Sequence, residues 1–582
     1  MRKTKIICTI GPASEDKEKL AQLVHNGMNV ARLNFSHGEH SEHKKRIDNI
    51  RQVAAEMNLP LAIMLDTKGP EIRTGKLQNK KVRLQAGQTF ILTTRPVTGD
   101  EHEVEISYPQ LPVEVKAGTS ILLSDGLINL LVLETTATDI ICQVINGGEL
   151  GEKKGVNVPG VRINMPFLSE KDIADIHFGI DEELDFIAAS FVRNAQDVWD
   201  IRRILESRDA HIDIIAKIES QGGVDNLDDI IKVADGVMVA RGDLGVEIPA
   251  EEVPLVQKTI IEKCNLAGKI VIIATQMLDS MINNPRPTRA EVSDVANAIF
   301  DGADAIMLSG ETAAGKYPVE SVETMARIAK RTEQVLPYQE ILRRKRLQST
   351  SSVTDAISYA TCATAASLGI SSIVTATSTG TTARMVSKYR PEADIIAVTP
   401  DRKVMNKLVM VWGVHPVLTQ ETNGTDELFE ESLTRCLEIG YIQKGDLVVL
   451  TAGSPSGFSG STNLLKVHVV GDILVKGMGI GVKPVSGKVR IILEDEDLEK
   501  IQVGDILVCR GAHSAYVSYL DRVVALIAEE GGLTSDAAIM GLNIGIQVIV
   551  GARDATSILE NDMLVTVDTP HGRVYSGLAK VL

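Results

Sequence analysis

The chain has 582 residues, of which 44% are hydrophobic and 24% are charged, and its formal net charge at pH 7 is −16. This length exceeds what one hydrophobic core supports, so the sequence predicts roughly three or four domains with ample buried cores. The negative charge argues against nucleic acid or an anionic membrane surface as a partner, and an anionic substrate would need a local basic pocket.

The longest apolar stretches have the length of strands, and the N-terminus runs into a strand without a signal-like apolar segment. This pattern predicts a cytoplasmic protein that does not associate with membranes. The six cysteines lie far apart and form no Cys-x-x-Cys pair, so we predict buried, reduced thiols.

Eight short apolar runs in the first 310 residues each stop at a polar or charged side chain, which predicts a (β/α)8 TIM barrel. The predicted strands are residues 5–9, 28–33, 61–65, 186–189, 212–216, 236–240, 270–274 and 305–308. Because the C-terminal ends of parallel strands converge on one face, we expect the residues that follow them to form one active site.

The third and fourth predicted strands are separated by about 120 residues, far more than one helix and its loops require. Short strand patterns between Gly and Asp turns predict a small inserted β-barrel domain at 71–166, within a barrel domain of 1–70 and 167–346. The insertion springs from the catalytic face, so we expect a lid that excludes water from a reactive intermediate.

Two further domains are predicted after the barrel. Residues 347–472 alternate helical patterns with apolar runs, which is typical of an open α/β domain. A Gly-Met-Gly-Ile-Gly linker after residue 471 then leads into β-rich segments with a Gly-rich turn, so an extra C-terminal domain is predicted at 473–582.

The acidic residues Glu219 and Asp243 follow the fifth and sixth barrel strands, so their carboxylates can point at the same spot above the barrel. Two carboxylates with little His or Cys nearby favour Mg²⁺ or Mn²⁺ over zinc. The alternative is a pair of salt bridges at the barrel rim with Lys217 and Arg241.

Four cations, Arg32, Arg73, Lys217 and Arg241, fall at or just beyond strand ends. Fixed positive charge beside a metal site indicates recognition of phosphate or carboxylate, because it stabilises the charge on a transferring phosphoryl group. The sequence therefore predicts a site for a small polyanion.

The segments 32–37 and 66–73 together offer amide, hydroxyl, carboxylate and carbonyl oxygens that could hold a monovalent cation. Taken singly, Asn34 and Ser36 are more typical of turns or caps. The hydroxyls of Thr275 and Ser309 could relay a proton, but each is equally consistent with a helix N-cap.

A hydroxyl-rich loop, Thr-Ser-Thr-Gly-Thr-Thr at 377–382, follows a predicted strand and precedes a helix. Hydroxyls, a glycine and free backbone amides at a helix N-terminus can cradle a phosphate. The plainer interpretation is a Ser/Thr cap.

Five motifs together resemble pyruvate kinase over residues 1 to about 471. They are Met-Asn-Val-Ala-Arg-Leu-Asn-Phe-Ser-His-Gly, Leu-Asp-Thr-Lys-Gly-Pro-Glu-Ile-Arg, Lys-Ile-Glu, Ala-Arg-Gly-Asp-Leu-Gly and Met-Leu-Ser-Gly-Glu-Thr. The resemblance implies phosphoryl transfer from phosphoenolpyruvate to ADP, giving pyruvate and ATP in the final step of glycolysis. It also implies a lid that closes over the site, an allosteric pocket in the α/β domain, and a homotetramer.

Matching positions in these motifs imply the roles of the catalytic residues. Glu219 and Asp243 would ligate the divalent ion, and a second Mg²⁺ should arrive with the nucleotide. Lys217 would stabilise the phosphoryl group in flight, and Arg73 would be a second catalytic residue that contacts the phosphate. Thr275 and Ser309 would deliver the proton to enolpyruvate beside Glu311. Contacts to phosphoenolpyruvate are implied for Arg32, Lys217, Gly242, Asp243 and Thr275, and contacts to the nucleotide for Arg32, Arg73, His37 and Lys154.

The resemblance also implies a potassium site. Its ligands would be Asn34, Ser36, Asp66 and the carbonyl of Thr67. Family members that require K⁺ carry Glu at the place of Glu71, whereas K⁺-independent members carry Lys there. We therefore expect K⁺ dependence.

The hydroxyl-rich loop resembles the family's effector loop. The implied contacts are Thr377, Ser378, Thr379, Gly380, Thr381 and Thr382. A later loop, 453–460, lacks the Trp and Arg of members activated by fructose bisphosphate, so we expect AMP or a sugar monophosphate instead.

The C-terminal region, about 485–580, resembles the swivelling phosphohistidine domain of phosphoenolpyruvate synthase and pyruvate phosphate dikinase. Asp536 stands where those enzymes carry the phosphorylated histidine, so we expect a structural or interface domain. Such a tail is typical of some bacterial pyruvate kinases, which implies a bacterial source.

Three other functions stay open at this point. A Mg²⁺-dependent lyase or aldolase acting on pyruvate enolate would need neither the lid lysines nor the potassium cluster. A phosphotransfer relay would use the tail as a carrier, and a non-catalytic sensor would use only the loop at 377–382.

Overall fold

The computed structural model describes residues 1–161, 163–347, 352–422, 424–453, 462–471 and 473–581. The chain divides into two compact units. The first comprises Met1–Ser349, Ser387–Arg390 and Asp401–Pro416, and the second comprises Thr350–Val386, Pro391–Pro400 and Val417–Leu582. The limits of the four predicted domains stay predictions.

Sixteen strands lie in the described residues before 348. They are β1 (Lys5–Thr9), β2 (Val30–Asn34), β3 (Ala62–Asp66), β4 (Lys81–Leu84), β5 (Thr89–Thr93), β6 (Glu103–Glu105), β7 (Ser120–Leu123), β8 (Ile128–Thr135), β9 (Asp139–Asn146), β10 (Gly148–Gly151), β11 (Val156–Asn157), β12 (Phe186–Ala189), β13 (Asp213–Ile218), β14 (Gly236–Ala240), β15 (Ile270–Ala274) and β16 (Ala305–Leu308).

The helices of the same part are short or amphipathic, and several begin at a side-chain cap. They are α1 (Lys17–Asn26), α2 (His40–Glu56), α3 (Leu111–Glu114), α4 (Glu170–Asp181), α5 (Ala195–Ser207), α6 (Gln221–Asp225), α7 (Leu227–Val233), α8 (Arg241–Glu247), α9 (Val253–Ala267), the 3₁₀ helix Asp279–Ile282, α10 (Arg289–Asp301), α11 (Gly310–Ala313), α12 (Pro318–Glu333) and α13 (Tyr338–Leu347).

Eight of these strands close into a parallel barrel in the order β1-β16-β15-β14-β13-β12-β3-β2, which confirms the predicted TIM barrel. The strands are almost wholly buried because side chains fill the barrel on one face and helices cover the other. Strands β2, β3 and β13 run one or two residues beyond their predicted ends. Their last residues thus include Asn34, Asp66 and Lys217.

The inserted lid is all β apart from α3, as predicted. Its strands form a six-stranded sheet, β11-β7-β8-β9-β5-β6, and a two-stranded sheet, β10-β4. One apolar core is shared by the two sheets, with Phe90, Leu92 and Leu130 at its centre. In the described residues, the hydrogen bonds of the six-stranded sheet do not close into a ring.

The described residues from 352 onward contain thirteen strands and six helices. The strands are β17 (Ser372–Ala376), β18 (Asp394–Thr399), β19 (Val414–Leu418), β20 (Leu447–Ala452), β21 (Leu464–Val469), β22 (Ile473–Lys476), β23 (Met478–Ile480), β24 (Val485–Ile492), β25 (Asp505–Cys509), β26 (Val523–Ala528), β27 (Gln547–Val550), β28 (Leu564–Asp568) and β29 (Arg573–Ser576). The helices are α14 (Val353–Leu368), α15 (Thr381–Lys388), α16 (Arg402–Leu408), α17 (Thr425–Ile439), α18 (Asp536–Ile544) and α19 (Ala555–Ile558), with 3₁₀ helices at Asp495–Lys500 and Ser514–Tyr519.

The predicted α/β region forms a sheet in the order β19-β18-β17-β20-β21, in which β17 pairs in parallel with β18 and β20, and β20 pairs antiparallel with β21. The C-terminal region forms an eight-stranded sheet, β22-β29-β28-β24-β25-β26-β27-β23. The predicted Gly-Met-Gly-Ile-Gly linker is instead strand β23, paired with β27. A side chain at Gly479 would clash with the Thr569 carbonyl, so glycine there permits the close approach.

Two simple expectations can be compared with this structure. All six cysteines are buried and none of them forms a disulfide, as predicted. Among the residues that the structure describes, no helix is both long enough and apolar enough to cross a membrane.

Candidate active site

Lys217 lies at the centre of the cluster above the barrel. Its Nζ is 3.0 Å from Asp66 Oδ1 and 3.0 Å from Glu219 Oε1, and it donates a hydrogen bond to Ser190 Oγ over 2.7 Å. Burial alone would lower the pKa of Lys217, but the carboxylates of Asp66 and Glu219 outweigh it and raise the pKa. The ammonium is therefore a fixed positive charge in a nearly dry site.

The two carboxylate oxygens of Glu219 make different contacts, and Oε1 is the one that faces Lys217. Oε2 accepts the backbone N–H of Phe191 over 2.6 Å, whereas Oε1 is buried without a hydrogen bond of good geometry. Burial raises the pKa of Glu219 to about 7, and burial likewise raises the pKa of Asp243 in the first turn of α8. A bound cation would offset the free-energy cost of burying both charged carboxylates, so this donor set fits a divalent ion.

Glu219 and Asp243 are the two carboxylates assigned to the divalent ion. In the described part of the chain, no group of three or more His, Cys, Asp or Glu side chains is arranged to hold a metal. A hard ion held by Glu219 and Asp243 would therefore take its other ligands from substrate oxygens and water, as Mg²⁺ commonly does.

The alternative of rim salt bridges is realised for one pair only. Lys217 pairs with Glu219, but Arg241 turns away and pairs with Asp294 over 2.7 Å. Arg241 also donates to the Thr275 carbonyl over 2.8 Å. The prediction that Arg241 joins the cations around the polyanion is therefore wrong, because its guanidinium is committed to the neighbouring strand end.

Two arginines flank the cluster. The Arg32 guanidinium is buried and donates to Asp66 Oδ2 over 2.6 Å and to Thr9 Oγ1 over 2.9 Å. At the base of the lid, Arg73 pairs with Glu71 over 2.7 Å. The hydrogen bond that Arg73 donates to Glu71 raises the pKa of Arg73, and the charge of Asp243 adds to it, so Arg73 lies within electrostatic range of Asp243.

The four predicted potassium ligands lie together. Asn34 and Asp66 are register partners at the ends of β2 and β3, and the Phe35 N–H donates to the Asp66 carbonyl over 3.0 Å. Asn34 Oδ1 accepts the Ser36 N–H over 3.0 Å, which is the turn role considered for it. The pairing of two strands thus gathers these oxygens.

Ser190 links the two halves of the site, and sequence analysis assigned it no role. Its hydroxyl donates to the Thr67 carbonyl over 2.7 Å and lies 3.2 Å from Asp66 Oδ1, while accepting from Lys217. Burial of the carboxylate raises the pKa of Asp66, but Arg32 and Lys217 outweigh burial and hold it below its usual value. The sequence signal that could have identified Ser190 was its position directly after β12, at the same face as the other site residues.

The two candidate proton-relay hydroxyls are held by their neighbours. Thr275 does not cap a helix. Its φ is +65°, its hydroxyl donates to the Ala274 carbonyl over 2.6 Å, and it accepts the Gly242 N–H over 2.8 Å. Ser309 precedes α11, yet its buried hydroxyl caps nothing and has no partner. A free hydroxyl and a strained backbone are both typical of functional positions.

Glu311 supports both of these strand ends. It is buried and accepts the N–H of Ser309 over 2.7 Å and that of Leu278 over 3.0 Å. Burial raises the pKa of Glu311. Glu311 therefore bridges the loops after β15 and β16.

The two remaining candidate nucleotide contacts lie at the periphery. His37 is exposed in the turn between β2 and α2. Lys154 is exposed at the base of the lid, where its backbone exchanges hydrogen bonds of 2.9 and 2.8 Å with Thr74. Neither side chain reaches the Lys217 cluster through a described contact, so their roles stay predictions.

The candidate effector loop connects β17 to α15. The Thr377 hydroxyl accepts the Gly380 N–H over 2.9 Å, and the hydroxyls of Thr379 and Thr381 lie 2.9 Å apart. Thr382 is buried, with its hydroxyl 2.8 Å from that of Thr462, whereas Ser378 is exposed. These contacts within the loop leave both the phosphate cradle and the Ser/Thr cap as predictions. Residues 454–460 of the later loop, which was compared with members activated by fructose bisphosphate, lie outside the described residues.

In the C-terminal region, the position that corresponds to the phosphorylated histidine of the swivelling domains lies at the start of a helix. Asp536 is exposed and begins α18, with Ser535 as the N-cap. His513 lies elsewhere, in the segment before the second 3₁₀ helix of the tail, 3.1 Å from Asp495.

Comparison with known families matches three parts of the chain. Residues 1–322 match the pyruvate kinase barrel domain, residues 355–468 match the pyruvate kinase alpha/beta domain, and residues 501–572 match the mobile domain of PEP-utilising enzymes.

Several similar proteins carry the name pyruvate kinase. Those of Geobacillus stearothermophilus and Bacillus licheniformis are each 54% identical over 585 and 586 residues, and that of Staphylococcus aureus is 49% identical over 585 residues, with all of both chains covered in each comparison. A crystal structure of a pyruvate kinase from Cryptosporidium parvum is 42% identical and superposes with a TM-score of 0.76. It covers 80% of this chain and 96% of that one.

Proposed function

The chain belongs to the pyruvate kinase family, and we propose that the Lys217 cluster is where it transfers the phosphoryl group of phosphoenolpyruvate to ADP. One observation carries this assignment. A buried ammonium, that of Lys217, lies 3.0 Å from the carboxylates of both Asp66 and Glu219 at the C-terminal face of the barrel. Such a site is organised for an anion and its counter-cation.

Glu219 and Asp243 would hold Mg²⁺ or Mn²⁺. When bound, the ion would supply positive charge to the phosphate and carboxylate oxygens of the substrate. The support is the Oε1 of Glu219, which faces Lys217 but accepts no hydrogen bond, and the raised pKa of both carboxyl groups.

Lys217, Arg32 and Arg73 would act on the phosphoryl group. Lys217 faces it from the barrel, Arg32 is held in place by Asp66, and Arg73 comes from the lid base. Fixed cations require no reorganisation as charge develops, so positioning and electrostatics supply most of the catalysis.

Transfer to ADP leaves the enolate of pyruvate, which then takes a proton at carbon three. Thr275 and Ser309 would deliver this proton, and Glu311 would keep their two strand ends in place. The unpartnered hydroxyl of Ser309 supports this role, because a buried hydroxyl without a partner is costly unless a ligand completes it.

K⁺ would be held by Asn34, Ser36, Asp66 and the Thr67 carbonyl. His37 and Lys154 would contact the nucleotide, and Gly242 would contact phosphoenolpyruvate. The 377–382 loop would bind AMP or a sugar monophosphate. A homotetramer and a cytoplasmic location complete the proposal and rest on family membership alone.

The test is phosphoenolpyruvate-dependent ATP formation from ADP and Mg²⁺, with K⁺ or with Na⁺ at equal ionic strength. The variant is Lys217→Met, and Lys263→Met is the control because Lys263 pairs with Asp228 on the exposed surface. We expect K⁺-stimulated turnover that falls by about a thousandfold or more in Lys217→Met and is unchanged in the control. Full turnover in Lys217→Met would refute the assignment of the site. Absence of turnover with every cation would favour the lyase or sensor alternatives.

A further inference from the structure

The first turn of helix α4, residues 169–175, contacts two barrel segments from outside the active site. Asp172 is fully buried, and its Oδ1 accepts the backbone N–H groups of Lys68 and Gly69, each over 3.1 Å. Its Oδ2 accepts the N–H and the hydroxyl of Ser169 over 3.0 and 2.6 Å. One carboxylate therefore receives four hydrogen bonds, and two of them come from a segment about a hundred residues earlier in the chain.

The residue before Asp172 holds the other segment. Lys171 Nζ donates to the Phe35 carbonyl over 2.8 Å and to Asp175 Oδ2 over 2.7 Å. Asp175 is itself buried and lies 2.7 Å from His40 Nε2. The Lys171 side chain is 47% exposed, so its ammonium forms this contact without being enclosed.

These two contacts fall beside the oxygens assigned to K⁺. Phe35 lies between Asn34 and Ser36, and Lys68 directly follows Thr67. We propose that the first turn of α4 is a clamp that fixes both potassium-binding segments before the cation arrives, with Lys171 and Asp172 as positioning residues. The inference rests on the potassium site of the proposed function.

Preorganisation of the ligands governs how tightly such a site holds K⁺. A monovalent ion gains little from each oxygen ligand, so its affinity is sensitive to how much of the ligand geometry must be ordered on binding. Both segments are loops that leave strands and would otherwise lose freedom when K⁺ binds. Contacts that fix Phe35 and Lys68 remove that cost, as a supporting shell does in other binding sites.

A purely local role for Asp172 makes a different prediction. Asp172 and Ser169 form a capping box at the start of α4, which alone would affect only the stability of the helix. A cap without coupling to the site would change thermal stability equally in K⁺ and in Na⁺. The clamp predicts a specific loss of the response to K⁺.

The principal variant is Asp172→Asn, and its turnover and melting temperature are measured across a K⁺ titration at constant ionic strength. We expect the K⁺ concentration for half-maximal activation to rise by about tenfold, while turnover at saturating K⁺ stays within about threefold of wild type. The gain in melting temperature from K⁺ over Na⁺, measured without substrates, should shrink. Hydrogen exchange of the peptide that contains Lys68 and Gly69 should become faster.

Lys171→Met is the second variant, because a half-exposed side chain can be replaced without endangering the fold. It removes the bond to the Phe35 carbonyl and should also raise the half-activating K⁺ concentration. Glu333→Gln is the control. Glu333 is a buried carboxylate that also accepts two backbone N–H groups, from Lys3 and Thr4 before β1. Its K⁺ response should match that of wild type.

The outcomes separate this inference from the function on which it rests. A K⁺-stimulated wild type whose half-activating concentration is unchanged in both α4 variants would overturn the clamp alone. A wild type that turns over without any response to K⁺ would overturn the potassium site and the clamp together, while leaving the phosphoryl-transfer assignment standing.

Discussion

The guanidinium of Arg241 donates a hydrogen bond of 2.8 Å to the backbone carbonyl of Thr275, a residue in the left-handed region of backbone space. Gln276 follows with a φ of +55°, so two consecutive residues without the freedom of glycine are held in this conformation. Such conformations cost free energy and persist only where surrounding contacts impose them. Arg241, anchored by Asp294, provides one of those contacts and aims the Thr275 hydroxyl at the Gly242 N–H.

Replacing Arg241 with Lys should therefore impair proton delivery more than substrate binding. Lysine keeps the charge but cannot bridge Asp294 and the Thr275 carbonyl with one planar group. We expect kcat to fall by about tenfold and the KM for phosphoenolpyruvate to stay within about twofold. Arg202→Lys is the control, because Arg202 also bridges a carboxylate and a carbonyl, those of Asp235 and Val233. Equal losses in the two variants would contradict a specific role for Arg241.

Glu219→Gln should weaken binding of the divalent ion. The amide keeps an oxygen near the ion but removes one of the two charges offered to it, and it places an N–H group where the Phe191 N–H or the ion must approach. We expect Mn²⁺ affinity, measured by titration calorimetry without substrates, to fall by about tenfold or more. Unchanged affinity would mean that Glu219 does not ligate the ion.

Asp185 should make the stability of the barrel depend on pH. Its carboxyl group is buried, accepts the Ile63 N–H over 2.8 Å and is hydrogen-bonded by Asn406, and burial raises its pKa to about 6. The folded state thus binds this proton more tightly than the unfolded chain, whose pKa is about 4. Stability from this group is greatest below pH 4, declines as pH rises, and is lost above pH 6.

Asp185→Asn removes this dependence while keeping an acceptor for Ile63. Below pH 4 the variant and wild type should melt alike, whereas above pH 6 the variant should be more stable by up to about 3 kcal/mol. Melting temperatures measured from pH 4 to 8 check this. A difference that is constant across this range would show that the carboxylate is not the cause.

Glu71→Lys should reduce the requirement for K⁺. Glu71 pairs with Arg73 at the lid base, and lysine would place a fixed positive charge beside the site while releasing Arg73. We expect turnover in Na⁺ to rise, so that the stimulation by K⁺ falls by about tenfold. Glu149→Lys, at an exposed position of the lid, is the control. Stimulation that persists in full would argue against Glu71 as the determinant.

The barrel was predictable because its strands are buried on both faces and read as short apolar runs. The assignment of strands from apolar runs placed the ends of β2, β3 and β13 one or two residues too early. Asn34, Asp66 and Lys217 are polar yet lie within hydrogen-bonded strands, because the site is built from the last residues of strands and not from the loops alone. A hydrophobic pattern stops at the first polar residue and cannot detect this extension.

The convergence of Lys217, Glu219 and Asp66 was also predictable, since parallel strand ends meet on one face. The direction in which each side chain points was not predictable from the sequence. Arg241 points to Asp294, 53 residues away along the chain, and no local signal sets this choice. Ser190 and Lys171 were missed for the same reason, because their partners Thr67 and Phe35 lie 123 and 136 residues earlier.

The Asp172 carboxylate bonds to the chain just before it enters the lid, at Lys68 and Gly69, and again just after it returns, at Ser169. The two ends of the inserted domain therefore leave the barrel side by side, so that the insertion of about a hundred residues closes between its ends as a short loop does. The lid can be exchanged, shortened or removed in evolution or in the laboratory without stretching the strands on either side. During synthesis, it can complete its own fold before the fourth barrel strand emerges.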